Sequence, residues 1–277
     1  MKKILVPTDF SKRAEEALKF AIQFAAKVNG KITLMHVLDF PSGSFNTTGE
    51  MNSNSSDIVF RAEFIKGVHS RLEQIKSSLD VEVHGKIKYG NPYVSISKEI
   101  AEEEVDYIIM GSNGASGLKE VFIGSVAEKV IRNADCPVIV VKGPANLENF
   151  KSIVFASDLS EEQDFIAYRA KDIQELLDVN MHLITVKTPH NMRREFDTLE
   201  KMKDFAKRNF LERYSVSTVD ADYSEDGIVD YAEEIGAGMI LMGTHGRTGL
   251  AHIFGGSRAE DVANESNIPV MTFKINL

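Results

Sequence analysis

Two segments of this chain have closely similar sequences. Residues 111–141 read GSNGASGLKEVFIGSVAEKVIRNADCPVIVV, and residues 243–273 read GTHGRTGLAHIFGGSRAEDVANESNIPVMTF. The identical positions lie 132 residues apart and include Gly111, Gly114, Gly124 and Ser125, which recur as Gly243, Gly246, Gly256 and Ser257. Similarity at a long fixed spacing indicates that one structural unit occurs twice in the chain.

Short apolar runs alternate with amphipathic stretches in both halves of the chain. Ala14, Leu18, Ala21 and Ala25 fall on one face at helical spacing after the first apolar run. This alternation predicts an α/β fold in which open parallel sheets carry helices on both faces. The predicted strands are 3–7, 32–37, 81–87, 107–110 and 138–141, then 153–155, 183–186, 216–219, 239–242 and 270–273.

The length of the chain also favours two domains. A chain of 277 residues exceeds the usual size of one core. We expect a first domain at residues 1–143 and a second at residues 150–277. Residues 144–149, which follow Gly143 and begin with Pro144-Ala145-Asn146, form the predicted linker.

Composition and charge exclude several classes of protein. Hydrophobic residues at 43% and charged residues at 26% are typical of a folded globular chain. The net charge of −9 opposes binding to nucleic acid and to anionic lipid surfaces. No apolar run approaches the ~20 residues of a membrane-spanning helix, and Ile4-Leu5-Val6 is too short for the core of a signal peptide. We therefore expect a cytoplasmic protein whose single cysteine, Cys136, is a buried inert thiol.

The repeated glycine loops predict an anion site. Each follows a predicted strand, where α/β proteins bind their ligands, and each ends in a Gly-Ser pair that opens a helix. Glycines let backbone N–H groups approach an anion, and the start of the helix adds unpaired donors and a positive dipole end. The spacing therefore favours a phosphate cradle, above all in the first half.

Local capping is the alternative interpretation of several of these residues. Ser125 and Ser257 are each followed three residues later by glutamate, which is the pattern of a capping box. The two roles are compatible, because a hydroxyl can accept from a backbone N–H group and donate to a phosphate. Asp9 and Asp158 end their first strands. We favour capping for Asp158, where Ser160 to Gln163 also fit a capping box, and leave capping or ligand contact open for Asp9.

Other nucleotide-binding motifs are missing from the sequence. There is no Gly-x-x-x-x-Gly-Lys-Ser/Thr loop, and the first strand is followed by Pro7-Thr8-Asp9-Phe10-Ser11 in place of a glycine-rich dinucleotide fingerprint. The Ser-Gly-Gly-x-Asp-Ser loop and the histidine pair of adenylating α/β enzymes are also missing. The sequence thus argues against a P-loop ATPase, a dehydrogenase and an adenylating enzyme.

The combination of motifs resembles the universal stress protein family. The elements that carry the resemblance are Val-Pro-Thr-Asp-Phe-Ser at 6–11, His36-Val37, Gly90-Asn91-Pro92, and Gly-x2-Gly-x9-Gly-Ser at 111–125. The resemblance covers nearly all 277 residues and implies a tandem member. It implies two flavodoxin-like, Rossmann-like five-stranded sheets of the adenine nucleotide alpha hydrolase type, paired through their last strands, 138–141 and 270–273.

The resemblance also implies a ligand and a set of residues that bind it. In the nucleotide-binding branch of the family the motif holds ATP, or ADP or AMP, together with Mg²⁺. Carried over, Gly111 lies against the ribose, Gly114, Gly124 and Ser125 hold the phosphates, and Asp9 and the backbone of Val37 contact the adenosine. The full sets are Pro7, Thr8, Asp9, Val37, Gly111, Gly114, Gly124, Ser125 and Val126, and in the second half Asp158, Val186, Gly243, Gly246, Gly256, Ser257 and Arg258.

The second half departs from the family pattern, so its site stays open. Ala156 stands in place of Pro7, Gly238 in place of Asp106, and Arg258 in place of Val126, while Tyr223 to Asp226 replace the Gly90-Asn91-Pro92 turn. Arg258 would bind a phosphate or fill the crevice.

The expected function is regulatory. We predict an ATP-binding stress-response protein with little or no hydrolysis, no catalytic residues and no metal site of its own, whose occupancy alters the surface offered to a protein partner. It would act as an intrachain pseudo-dimer or as a homodimer. The alternative is a nucleotide-free scaffold or small-ligand binding protein, and a slow ATPase or an adenylating enzyme is less favoured.

Overall fold

The computed structural model describes residues 1–39, 55–112, 123–189, 195–244 and 258–275. It confirms the alternation of strands and helices in both halves. The strands are β1 (Lys2–Pro7), β2 (Gly30–Leu38), β3 (Val83–Tyr89), β4 (Tyr107–Gly111), β5 (Val138–Val141), β6 (Ser152–Ala156), β7 (Asn180–Lys187), β8 (Tyr214–Asp220), β9 (Met239–Thr244) and β10 (Val270–Lys274). The helices are α1 (Lys12–Val28), α2 (Ser55–Ser77), α3 (Pro92–Glu103), α4 (Ser125–Asn133), α5 (Asp164–Leu177), α6 (Glu195–Arg208), α7 (Ser224–Glu234) and α8 (Arg258–Glu265).

All ten strands belong to one sheet. Its order is β3-β2-β1-β4-β5-β10-β9-β6-β7-β8, and every pair is parallel except β5 with β10. At that junction Val140 lies opposite Val270 and Ile139 opposite Met271. The expected tandem fold with pairing through the last strands is therefore confirmed. Within the first half the direction of winding reverses between β1 and β4, which is where open α/β sheets bind ligands.

Helices cover both faces of this sheet and divide the core in two. Ile4 and Val6 of β1 pack on the face that carries α1, α2, α5 and α6, whereas Leu5 packs on the face that carries α3, α4, α7 and α8. Burial on both faces explains why inner strands such as β4, β5 and β6 are almost continuous apolar runs. Cys136 is buried in the second of these cores, as expected for an inert thiol. In the part of the chain that the structure describes, no helix combines the length and the apolar character needed to cross a bilayer.

The segment between the two halves packs against α1. The Gln23 side chain donates to the Ala145 carbonyl at 3.2 Å and accepts from the Leu147 N–H at 2.9 Å. Leu147 is buried and begins a short 3-10 turn, Leu147–Asn149, which Asn146 caps. These contacts fix the path of the segment, while the exact domain boundaries stay a prediction.

Gly238 has a structural role. Its substitution for Asp106 is therefore not a change in the second ligand site, contrary to the expectation from the sequence. Asp106, its counterpart, precedes β4 and binds the Lys2 ammonium and the Lys3 N–H, both at 2.8 Å. Gly238 precedes β9, so both residues lie at the amino edge of the sheet, opposite the edge where ligands bind. A Cβ on Gly238 would lie 2.2 Å from the Phe150 ring. The glycine makes room for Phe150.

We expect Gly238→Ala to lower the free energy of unfolding by about 1–3 kcal/mol, because the added methyl overpacks the site against Phe150. Urea denaturation of the full chain measures this change. Gly143→Ala is the matched control, since nothing lies within 4 Å of a Cβ there. Equal stability of the two variants would contradict the close contact.

Candidate functional site

The first-half crevice lies where β1 and β4 end side by side. The Gly124 N–H donates to the Ser112 carbonyl at 2.6 Å, which places the start of α4 directly beside the end of β4. Arg13 in the first turn of α1 donates to the Ser112 hydroxyl at 2.9 Å. The starts of two helices on opposite faces of the sheet thus meet at one point.

Helix α4 begins without a capping side chain at its N-cap. Its N-cap is Gly124, with an extended backbone at φ −68° and ψ 145°, and the helix starts at Ser125. The predicted capping box at Ser125 is therefore wrong, because Gly124, which has no side chain, occupies the N-cap position. Ser11 and Asn91, by contrast, cap α1 and α3 with their side chains. Glycine at this position keeps the first-turn N–H groups of α4 accessible to an anion.

Asp9 shapes the turn between β1 and α1. Its Oδ1 accepts from the Ser11 N–H at 3.0 Å, and the Thr8 hydroxyl accepts from the Phe10 N–H at 3.0 Å. Phe10 has a φ of +62°, which these two bonds compensate. One carboxylate oxygen of Asp9 thus makes the predicted local bond, and its contact with adenosine stays a prediction.

The second half repeats this turn. Asp158 accepts from the Ser160 N–H and the Ser157 hydroxyl from the Leu159 N–H, both at 3.0 Å, and Leu159 has a φ of +65°. Local bonding by Asp158 is therefore confirmed. The capping box predicted from Ser160 is wrong, because its Oγ caps nothing and a 3-10 turn, Glu161–Gln163, precedes α5.

Gly111 is required by packing against α1. A Cβ at this position would lie 2.9 Å from the Arg13 carbonyl carbon and 3.1 Å from the Ala14 nitrogen. The glycine therefore permits the close approach of β4 to the helix. Its contact with a ribose stays a prediction that the packing neither requires nor excludes.

His36 and Phe10 form a stacked pair beside the end of β1. Their ring centroids are 4.5 Å apart, and His36 Nδ1 lies 2.7 Å from the Thr8 carbonyl. A carbonyl only accepts, so Nδ1 carries the proton. Burial lowers the pKa of His36, outweighing the Thr8 bond and the nearby Asp9 charge, which raise it. His36 is therefore neutral near pH 7.

Arg13 and Lys142 bring positive charge to the crevice. Lys142 directly follows β5, whose last residue, Val141, pairs with Gly111. Burial and, to a smaller extent, the charge of Arg13 lower the pKa of Lys142 to about 8, against the opposing charge of Glu265. Neither residue is marked by a local sequence pattern, because the contacts join segments about 100 or more residues apart. Together they offset the net charge of −9 locally.

The remaining predicted residues are distributed as follows. Pro7 ends β1 opposite Met35, Val37 pairs with Lys88 of β3, and Val126 lies in the first turn of α4. In the second half, Val186 is buried on β7. Gly114, Gly246, Gly256 and Ser257 lie outside the described residues, as does the side chain of Arg258, which begins α8.

The second-half crevice differs at one buried position. Gln163, the counterpart of Ala14, is 5% exposed, and its amide nitrogen and oxygen both lie 3.1 Å from the place of a Cβ on Gly243. Gln163 Oε1 and Ser160 Oγ are buried and have no hydrogen-bond partner among the described residues. The space next to Gly243 therefore holds a side-chain amide in place of a methyl group.

Acidic, histidine and cysteine side chains do not cluster into a metal centre in the described ranges. Within them, no group of three or more His, Cys, Asp or Glu residues could hold a metal ion.

Comparison with known proteins identifies the family. A model of the universal stress protein family matches residues 1–142 and 149–274, so this chain belongs to that family as a tandem member. A universal stress protein of Methanocaldococcus jannaschii is 38% identical in an alignment of 154 positions, gaps included, that covers 51% of this chain and 94% of that protein. One from Synechocystis is 24% identical in an alignment of 294 positions, gaps included, that covers 99% of this chain and all of that protein.

A solved structure supports the same conclusion for the fold. The crystal structure of a universal stress protein from Archaeoglobus fulgidus superposes with a TM-score of 0.74 at 25% identity. The match covers 99% of this chain and 96% of the archaeal one, so both halves and their junction are shared.

We expect Ser11→Ala to lower the free energy of unfolding by about 1 kcal/mol, because it removes the bond that caps α1. The matched variant Ser160→Ala should be neutral or stabilising, since the Ser160 hydroxyl is buried without a partner among the described residues. Chemical denaturation of both variants measures the difference. A larger loss of stability in Ser160→Ala than in Ser11→Ala would contradict the assignment of Ser11 as the capping residue.

Proposed function

We propose that this universal stress protein binds ATP in the first-half crevice and acts as a nucleotide-dependent regulatory protein. The observation that carries the proposal is the glycine N-cap of α4 beside the end of β4. Its first-turn N–H groups point to the place where an anion would lie, and Gly124 and Ser125 hold positions that the family motif assigns to phosphates. Family membership supports the same ligand.

The charges around the crevice suit a polyphosphate. Arg13 lies on Ser112, and Lys142 lies at the end of the neighbouring strand. A guanidinium and an ammonium attract phosphate oxygens at short range, even on a chain of net negative charge. Mg²⁺ would enter with the nucleotide, since ATP carries its own oxygen ligands for it.

The adenosine end of the ligand would occupy the other side of the turn after β1. The family motif assigns this part to Asp9 and to the backbone of Val37, and the stacked rings of Phe10 and His36 belong to the residues next to them in the chain. Proximity of aromatic and apolar groups there fits a purine better than a second anion.

Hydrolysis would be slow on this arrangement. A fast ATPase needs a base that orients water and donors that stabilise developing charge. Asp9 uses one oxygen for the Ser11 N–H, and the Nδ1 proton of His36 is directed at the Thr8 carbonyl. Turnover of ~1 s⁻¹ or more in a phosphate-release assay would revive the enzymatic alternative.

We expect one nucleotide per chain. In the second half the Gln163 amide lies beside Gly243, at the position that Ala14 occupies in the first half, so the two crevices are lined differently beside their glycine strand ends. A second crevice without nucleotide would act as a scaffold or take a smaller ligand.

Calorimetric titration and native mass spectrometry with millimolar MgATP test the proposal. Ser125→Asp should weaken ATP binding about tenfold or more, because a carboxylate in the first turn repels the phosphates. The same change should preserve stability, since a negative charge there suits the helix dipole.

Ser78→Asp is the matched control. It adds the same charge after the end of α2 on an exposed site at the opposite edge of the sheet, and should leave the affinity unchanged. Absence of any ATP binding by the wild-type chain would overturn the proposed function, and equal affinities of the two variants would overturn its placement at α4.

A further inference from the structure

Asn264, a residue of the second half, contacts the entry to helix α4 in the first-half crevice. Asn264 in the last turn of α8 accepts a hydrogen bond from the Ile123 N–H with its Oδ1, at an N–O distance of 2.6 Å. Ile123 directly precedes Gly124, whose own N–H is bound to the Ser112 carbonyl. Two consecutive N–H groups at the entry to α4 are thus held, one from within the first half and one from the second.

Asn264 is itself held firmly against the first half. The Lys142 ammonium donates to the Asn264 backbone carbonyl, one of the carbonyls left unpaired at the end of α8. Four residues earlier, Glu260 is 6% exposed and accepts two bonds from the Arg132 guanidinium, the Nε bond at 2.7 Å. These contacts set the position of α8 relative to α4, so the Asn264 amide is presented to Ile123 by a rigid element.

The arrangement is not the same on the two sides of the pseudo-dimer. The residue that corresponds to Asn264 in the first copy is Arg132, and its guanidinium is bound to Glu260 and Glu128. At this position the first half therefore has no side-chain amide that could make the equivalent bond to the second half. The supporting bond is thus made to the first half, whose site residues fit the family motif.

We propose that Asn264 is a positioning residue of the first-half site, and that this site is complete only when the second half is docked on it. The inference rests on the proposed function, because the group that Asn264 positions is the start of the anion-binding helix. By fixing Ile123, Asn264 directs the N–H groups of Gly124 and of the first turn of α4 toward the crevice before the ligand arrives.

Three variants of the full chain test the inference. Asn264→Ala removes the acceptor, and Asn264→Asp keeps an oxygen at the same place. Asn267→Ala removes an exposed amide three residues further along, which donates to Glu233 at 3.3 Å, and serves as control. Amide hydrogen exchange of peptides that contain Ile123 and Gly124, measured without ligand, reports the bond itself.

We expect Asn264→Ala to exchange about tenfold faster in these peptides and to bind MgATP roughly tenfold more weakly, since a half-buried donor loses its partner. Asn264→Asp should restore most of the protection from exchange but not the affinity, because its carboxylate repels phosphates at the start of α4, and Asn267→Ala should change neither. The urea midpoint should be similar for all four proteins, because the Arg132–Glu260 pair and the strand junction remain.

The outcomes separate this inference from the proposed function. Wild-type binding of ATP with equal affinity in Asn264→Ala overturns the inference and leaves the proposed function standing. Faster exchange throughout α4 and α8, with a lowered urea midpoint, shows a purely structural role and also overturns it. If the wild-type chain binds no ATP, the proposed function fails, and unchanged exchange at Ile123 would show that the positioning bond fails as well.

Discussion

The antiparallel pairing of β5 with β10 is the contact on which the rest of the molecule depends. Without it, each half would end in an exposed parallel edge strand, which invites uncontrolled association. The register that places Ile139 opposite Met271 also brings α4 over α8 on one face of the sheet. The Arg132–Glu260 pair, the Lys142 contact with α8 and the Asn264 bond to Ile123 all follow from that alignment.

The crevice of the first half shows how packing and recognition share the same residues. Gly111 lets β4 approach the backbone of Arg13, and this approach brings the Arg13 guanidinium to Ser112. Ser112 in turn fixes Gly124 at the start of α4. A glycine needed for packing therefore also brings together the groups that we propose to bind a phosphate.

The fold could be predicted from the sequence because the same pattern of strands occurs in both halves. Strand positions, parallel pairing and the junction at the last strands follow from apolar periodicity and from the family resemblance. Helix capping was less predictable, since the N-cap depends on backbone angles, and a Gly-Ser pair such as Gly124-Ser125 leaves the choice between its members open. The reason for a glycine at 238 is the Phe150 ring packed against it, a contact that no local sequence pattern indicates. Arg13, Lys142 and Asn264 act through contacts about 100 or more residues distant in sequence, which no local pattern reveals.

Joining the halves in one chain changes what the interface can become. In a homodimer the interface is isologous, so any substitution appears on both sides of the two-fold axis. Here the partner is tethered at a high effective concentration that does not depend on the amount of protein. Each side can then vary alone, and the position that is Arg132 on one side is Asn264 on the other. The presence of both copies in one chain thus leaves one copy free to specialise in support of its neighbour.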